Sequence, residues 1–417
     1  VSTLDGEQLS NSGKNDTRML FQVAPSVSYH GAVSADGQSL RVRGIGTGVI
    51  AGGIEQSVGV IIDGVATGPS GSGLQSLWDV ERIEILKGPQ GTLFGKKVSA
   101  GAIKQVTRNP TKNFEWQLKS RHEVEYKGSR YDGFVSGPIN ENTVFRFSAF
   151  NFEQKEGEVY NLVRREFENT KDRWGARAKL FYSSEMWRAT FNMAYDEIDE
   201  RCCARVFSAV VPQETNELAE DWAFDALARH GVSPSQSNRF SINDAALYEK
   251  ANTFHAVADL EIELARGYTF KSISGYRNWS HESENDADNI DSDIFNTVRV
   301  NNDLKIYSQE FQLLSPVSDH LDYVVGAYLY RQEYPRDDNI GGGVDYSGFY
   351  GRTRSESATD ILHRAMYAHS NYYLTDKFSV FSGLRLLKER LEVVGRQYGD
   401  HWLWPENYER NRVADED

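Results

Sequence analysis

Trp187-Arg-Ala-Thr-Phe-Asn-Met-Ala-Tyr195 sets Trp187, Ala189, Phe191, Met193 and Tyr195 on one parity and Arg188, Thr190, Asn192 and Ala194 on the other. Phe254-His-Ala-Val-Ala-Asp-Leu-Glu-Ile-Glu-Leu264 repeats the pattern, and so does Trp174-Gly-Ala-Arg-Ala-Lys-Leu-Phe-Tyr182. Successive side chains of a strand point to opposite faces, so each stretch makes one apolar face and one mostly polar face. In a soluble sandwich the apolar face is core and strands average about five or six residues. In an outer-membrane barrel that face meets lipid, and a strand needs about 9–11 residues to cross. The lengths here favour the barrel.

Working outward from these stretches, the alternation predicts about eleven strands, at 113–126, 130–138, 143–155, 172–184, 186–198, 250–264, 267–280, 303–315, 321–333, 358–374 and 377–393. Connections after the even-numbered strands are short, such as Asn140-Glu-Asn142, Ser184-Glu185 and Ala265-Arg266. Those after the third, fifth, seventh and ninth are long, with Asp199–Glu249 the longest. Only Lys127-Gly-Ser129 is short where a long loop is due. Short turns on one side and long loops on the other are the mark of a membrane barrel, and a soluble sandwich has no reason to sort its loops by parity.

Composition agrees. Over 417 residues, 46 Lys and Arg stand against 60 Asp and Glu, a formal charge of −14, and no basic cluster supports binding to nucleic acid. An aromatic content of 12% is too high for a disordered chain. No apolar run approaches the roughly 18 residues of a transmembrane helix, a test that does not apply to barrel strands. Two cysteines, Cys202 and Cys203, are too few for a disulfide scaffold.

The first 110 residues have a different texture, with 18 of the 35 glycines. Short strands are expected at Leu40–Arg43, Gly59–Ile62, Arg82–Lys87 and Ala102–Thr107, with a helical turn at Asp16–Phe21. Val58-Gly-Val-Ile-Ile62 followed by Asp63-Gly64 reads as a buried strand entering a tight turn with positive φ. The expected division is a mixed α+β domain over residues 1–112 and a barrel part over residues 113–417.

Three stretches of the first segment resemble the plug domain of TonB-dependent outer-membrane receptors: Gln38-Ser-Leu-Arg-Val-Arg-Gly-Ile-Gly46, Val58-Gly-Val-Ile-Ile-Asp-Gly-Val65, and Val80-Glu-Arg-Ile-Glu-Ile-Leu-Lys-Gly-Pro-Gln-Gly-Thr-Leu-Phe-Gly95 running on to Ala100-Gly-Ala-Ile-Lys-Gln-Val-Thr-Arg108. Ser308-Gln-Glu-Phe-Gln-Leu313 and Phe381-Ser-Gly-Leu-Arg385 resemble barrel-strand motifs of the same family. The resemblance implies an N-terminal α+β plug followed by an antiparallel transmembrane β-barrel of 22 strands, of which about 11 are present. It implies import of a scarce nutrient, with an iron–siderophore chelate the first choice, across the outer membrane of a bacterial cell. The implied partners are outer-membrane lipid and the energy-transducing protein TonB; no cofactor and no resident metal are implied. On this reading the chain is a piece of a longer protein, lacking the upstream TonB-contacting segment and signal peptide, and Asp417 falls inside an external loop.

The plug motif carried over by the resemblance comprises Arg43, Gly44, Asp63, Gly64, Arg82, Lys87, Gly88, Pro89, Gly91 and Gly95. Arg43, Arg82 and Lys87 are expected to face carboxylates of the barrel wall, with Glu310 a possible partner. Gly44 to Gln56 and Ala66 to Gln75 are the candidate ligand loops, and the inward-facing Arg177, Lys179 and Asp259 are expected to keep the lumen wet. Lys87-Gly88-Pro89-Gln90-Gly91 lacks the Gly-Lys-Ser/Thr ending of a phosphate loop, so its glycines are read as turn formers. Cys202-Cys203 can form a disulfide or bind a soft metal as two thiolates, and is read as a local bridge without chemistry. The acidic stretch from His281 to Asp293 has carboxylate spacing suggestive of Ca²⁺ but lacks the glycine and terminal glutamate of an EF-hand loop, and is read as a charged, solvated loop. His363 and His369 share a face about 20 Å apart, too far for one metal. No nucleophile–base constellation has a supporting context, so no catalysis is expected. A reading of another class is a soluble secreted β-rich module that stacks sugars on Trp402 and Trp404.

Overall fold

The computed structural model describes residues 1–417 except 14–15, 32–37, 48–55, 74–75, 90, 92–97, 211–216, 293–296, 319, 343–350, 376, 400–407 and 417. Gly95, Trp402 and Trp404, together with parts of both candidate ligand loops, lie outside the described residues.

The first segment folds around a five-stranded sheet. Its strands are β1 (Ser2–Asp5), β4 (Val58–Ile62), β5 (Val65–Ala66), β6 (Val80–Lys87) and β7 (Gly101–Thr107), in the order β1-β6-β7-β4-β5. β4 and β7 run parallel and the other pairs antiparallel. A hairpin of β2 (Val27–His30) and β3 (Ser39–Val42) and a short helix α1 (Gly6–Asn11) pack on it. The Asp5 carboxylate caps α1 by accepting from the N–H groups of Glu7 and Gln8, at 2.8 and 3.0 Å. Leu9, Leu20, Val42, Ile83, Ile85 and Ile103 form the centre of one apolar core. The Asp63-Gly64 turn between β4 and β5 has φ of +46° and +89°, the two positive values that a two-residue hairpin turn of the primed type requires.

The second segment is one twelve-stranded antiparallel sheet. It runs β8 (Glu115–Glu123), β9 (Gly128–Pro138), β10 (Thr143–Gln154), β13 (Lys171–Ser183), β14 (Trp187–Glu200), β16 (Tyr248–Glu263), β17 (Thr269–Asn285), β18 (Thr297–Leu314), β19 (Leu321–Gly342), β20 (Gly351–Thr375), β21 (Phe378–Gly399) and β22 (Tyr408–Glu416). Among the described residues the sheet is open, with β8 and β22 at its edges. All eleven expected strands are present. The twelfth, β22, is a correction, because a loop was expected there.

β18 to β21 also run six to nine residues beyond their expected outer ends. These extensions are mostly polar on both faces and held by cross-strand pairs such as Arg354–Asp337 and Arg299–Glu284. Having no apolar face, they carry no alternation to read.

Trp187, Phe191 and Met193 are 42, 50 and 55% exposed on the outer face, while Asn192 on the inner face is 2% exposed. Apolar outside and polar inside is the inverse of a soluble sandwich and suits a wall in lipid. At the long-loop end, β11 (Val159–Asn161), β12 (Glu166–Glu168) and β15 (Phe240–Ser241) form a small sheet beside helix α2 (Glu217–Arg229). Ala226, Leu227, Val232, Ile242 and Ile290 give this cap its own core. Asp286, placed in a solvated loop by the sequence reading, is buried there and accepts from Asn289 N–H at 2.8 Å.

Candidate functional site

Residues 72–79 of the plug are gripped by arginines from the inner faces of four wall strands. Arg277 of β17 donates to the Ser72 carbonyl. Arg173 of β13 reaches Ser76 Oγ at 3.4 Å, and Arg130 of β9 the Leu77 carbonyl at 3.3 Å. Arg177 of β13 donates to the Trp78 carbonyl at 3.2 Å, its guanidinium carbon 4.1 Å from the Trp78 ring centroid. Arg146 of β10 makes a two-pronged pair with Asp79, the shortest contact 2.6 Å. All five are buried. Each guanidinium meets a plug oxygen, which offsets part of the cost of burying its charge, while Arg177 Nε and Arg277 Nε and Nη1 have no hydrogen-bond partner among the described residues.

Two further plug carboxylates are held in the same way. Asp16 pairs with Arg18 at 2.6 Å and with Arg173 at 2.7 Å. Asp63 accepts from Thr107 N–H and Oγ1, at 2.9 and 2.6 Å, and from Asn192 Nδ2 of β14 at 2.6 Å. Lys179 of β13 donates to Thr107 Oγ1 at 2.7 Å and lies 4.0 Å from Asp63. Burial by itself would raise all three carboxyls. At Asp16 the charges of Arg18 and Arg173 outweigh it and hold the group well below the usual carboxylate range. Asp63 is lowered by Lys179, Arg177 and Thr107 against its burial, and Asp79 by Arg146.

Apolar contact completes the seat. A Cβ built on Gly68, whose φ is +89°, would lie 2.9 Å from both Ile306 Cδ1 and Leu304 Cδ2. On the wall side a Cβ at Gly275 would stand 2.5 Å from Val65 Cγ2. Glycine at both positions lets plug and wall backbones come this close. The loop from Ala66 is therefore packed on the wall.

Among the described residues, the expected plug–wall contact through Arg43, Arg82, Lys87 and Glu310 is not formed. Arg82 pairs inside the plug, with Glu81 at 2.5 Å and Glu84 at 2.7 Å. Glu310 accepts from Tyr367 and from Gln312 Nε2, both on the wall, the latter at 2.9 Å. Arg43 is exposed, with φ of +55°, and forms a turn with Gly44 at +79°. Lys87 and Gly88 are half-buried, Gly88 with φ of +85°, while Pro89 and Gly91 are exposed. Arg177 and Lys179 do not wet the lumen but bind plug oxygens, and Asp259 pairs with Lys271 at 2.9 Å.

Sequence reasoning missed Asp16, Trp78 and Asp79 on the plug and Arg130, Arg146, Arg173 and Arg277 on the wall. A signal for the wall residues existed, since each is a cation on the inward parity of an alternating strand.

Above this seat, on the long-loop side, a cavity of about 730 Å³ lies between plug and wall. Asp16, Arg18, Arg121, Arg130, Lys171 and Arg173 contribute charge to its lining, and Cys202 and Cys203 close one side.

The family model described as the TonB-dependent receptor plug domain matches residues 1–102. The solved structure of the ferric yersiniabactin uptake receptor from Yersinia pestis superposes with a TM-score of 0.76 at 18% identity, over all of this chain and 60% of that one. The fold is that of a TonB-dependent outer-membrane receptor. The pyoverdine outer-membrane receptor of Pseudomonas aeruginosa, solved with pyoverdine bound, gives a TM-score of 0.67 at 14% identity over 95% of this chain and 59% of its own. Among curated proteins, the pesticin receptor of Yersinia pestis is 26% identical over 183 residues, which is 43% of this chain and 25% of that protein. The chain thus spans about 60% of these two solved receptors, and its match to the pesticin receptor a quarter of that protein.

Proposed function

We propose that residues 1–112 act as the plug and residues 113–417 as part of the wall of a bacterial outer-membrane receptor that takes up an iron–siderophore chelate, with TonB as its energy-transducing partner. It is a carrier, not an enzyme. The observation that carries this reading is the seating of residues 72–79: a lumen closed by a folded plug that hangs on polar contacts, beneath an external cavity lined by five cations and by the carboxylates of Asp16, Glu123, Glu158 and Glu200. The similar structures, of a ferric yersiniabactin uptake receptor and a pyoverdine receptor, support the substrate class. Ferric iron is a hard cation held by anionic oxygen donors, and such chelates suit a cavity offering Arg18, Arg121 and Lys171.

Arg173 connects cavity and plug, because it lines the one and binds Asp16 and Ser76 of the other. An anion drawing on Arg173 competes with Asp16. Ligand binding biases the plug only by its differential affinity for two plug positions, and work from the inner membrane then moves residues 72–79 off their arginines. The test is uptake of labelled ferric siderophores by iron-starved cells carrying the intact gene. Uptake should vanish without TonB while surface binding persists. Undiminished uptake without TonB would overturn the energised mechanism, and failure of every ferric chelate to bind would overturn the substrate class.

A further inference from the structure

The chain leaves β14 at Glu200 and two residues later lays Cys202 and Cys203 against Glu249, the cross-strand partner of Glu200 on β16. The two cysteines are joined as a disulfide. Their sulfurs lie 3.8 and 3.9 Å from Glu249 Oε2. Glu249 is 5% exposed, and among the described residues these sulfurs are the only hydrogen-bond-range neighbours of its carboxylate. The nearby guanidinium groups are committed elsewhere, Arg18 to Asp16 and Arg173 to Asp16 and Glu200. A disulfide sulfur has no proton to donate. Oε2 therefore has no donor among these neighbours, an arrangement that costs free energy. A cation shared between sulfur and oxygen would relieve that cost.

We propose that, when the pair is reduced, Cys202, Cys203 and Glu249 form a binding site for a thiophilic divalent cation of the zinc class, open to the external cavity. Tetrahedral zinc, with Zn–S of about 2.3 Å and Zn–O of about 2.0–2.2 Å, sets sulfur and oxygen about 3.5–3.7 Å apart. In the disulfide form the sulfurs already lie 3.8 and 3.9 Å from the carboxylate oxygen, and on reduction they must part to about 3.8 Å from one another for both to bind one zinc. Two sulfurs out of three ligands select a soft or borderline metal over calcium or magnesium. The fourth position faces the cavity that both cysteines line.

Two molecules of a small thiol convert the disulfide to two cysteine thiols and leave as their own disulfide, so two electrons and two protons enter the protein. Binding of the cation by both thiolates and the carboxylate then releases those two protons. The oxidised pair does not bind, which makes the site a sensor of the redox state outside the cell. It is independent of what the cavity carries.

The test titrates Cd²⁺ alone, then Zn²⁺ in competition, into detergent-solubilised protein, oxidised or reduced by a small thiol that is then removed under argon. One Cd²⁺ per reduced chain should bind with an ultraviolet sulfur-to-cadmium charge-transfer band, and Zn²⁺ should displace it. Glu249→Gln should weaken binding at least about tenfold, the loss typical of even an outer-shell partner. The Cys202→Ser and Cys203→Ser double variant should lose the band. Equal affinity in both redox states, no band on reduction, or full affinity in Glu249→Gln would each overturn the site. Should the serine variant fail to fold, ¹¹³Cd NMR of the unsubstituted reduced protein reads the ligands directly, and a shift in the all-oxygen range overturns the proposal.

Discussion

The inside of the plug is apolar, whereas its contact with the wall adds buried ion pairs to the apolar packing at Gly68 and Trp78. Inside, Leu20, Ile83 and Ile85 have no exposed surface and no polar partner to choose. Outside, Asp16, Asp63 and Asp79 meet Arg173, Lys179 and Arg146 across the wall. Apolar burial is non-directional and holds the plug together wherever it sits. The interface is directional: its groups prefer one position, yet water can replace each partner when they part. A body that moves without melting, as the proposed uptake requires, is served by this division.

Breaking the core should do the most. Ile83→Asp buries a charge with no counter-ion and should cost more than about 5 kcal/mol, leaving the plug unfolded inside an intact wall. Protease cleavage confined to residues 1–112, with the wall strands protected, is the check.

Acid should do the reverse, undocking a plug that stays folded. The folded-state carboxyls of Asp16, Asp63 and Asp79 lie below their ordinary value. Their contribution is therefore fully present above about pH 4 and is lost as pH falls through the depressed values. Fluorescence of Trp78, which sits under Arg177, should change in that window while far-UV dichroism holds. An unchanged signal from pH 7 to 2 would count against the ionic seat.

Asp79→Ala isolates one contact. Removing one partner of a buried pair costs about 3–5 kcal/mol. The lower end is expected here, because Arg146 keeps Glu115 at 3.4 Å. Faster exchange of amides in residues 72–79 is the measurement, with exchange in β6 unaltered. At the small end, Asp337→Asn cuts the pair with Arg354 on the exposed extension of β19 and should leave the midpoint of thermal unfolding unchanged.

Much of this molecule was legible in its sequence because its strands must satisfy lipid. The alternation in Trp187–Tyr195 gave strand, face and side together, and loop parity gave the ordering. What escaped was whatever lipid does not discipline. The outer extensions of β18 to β21 have polar residues on both faces, so nothing marks them as strand. The plug–wall pairs escaped for another reason. Arg82 has Glu84 two residues on, on the same face of its strand, and a neighbour that close wins over a distant wall carboxylate. Asp79 and Arg146 are 67 residues apart, and only the docked fold brings them together.

The arginine grip also bears on what an open passage would admit. With the plug drawn aside, Arg130, Arg146, Arg173, Arg177, Lys179 and Arg277 would stand bare along one side of the bore. A narrow bore with such a lining concentrates anions and turns cations back. The same residues that lock the closed state would then tilt the passage toward a negatively charged cargo, offset in part by Asp196 and Glu200 on the same wall.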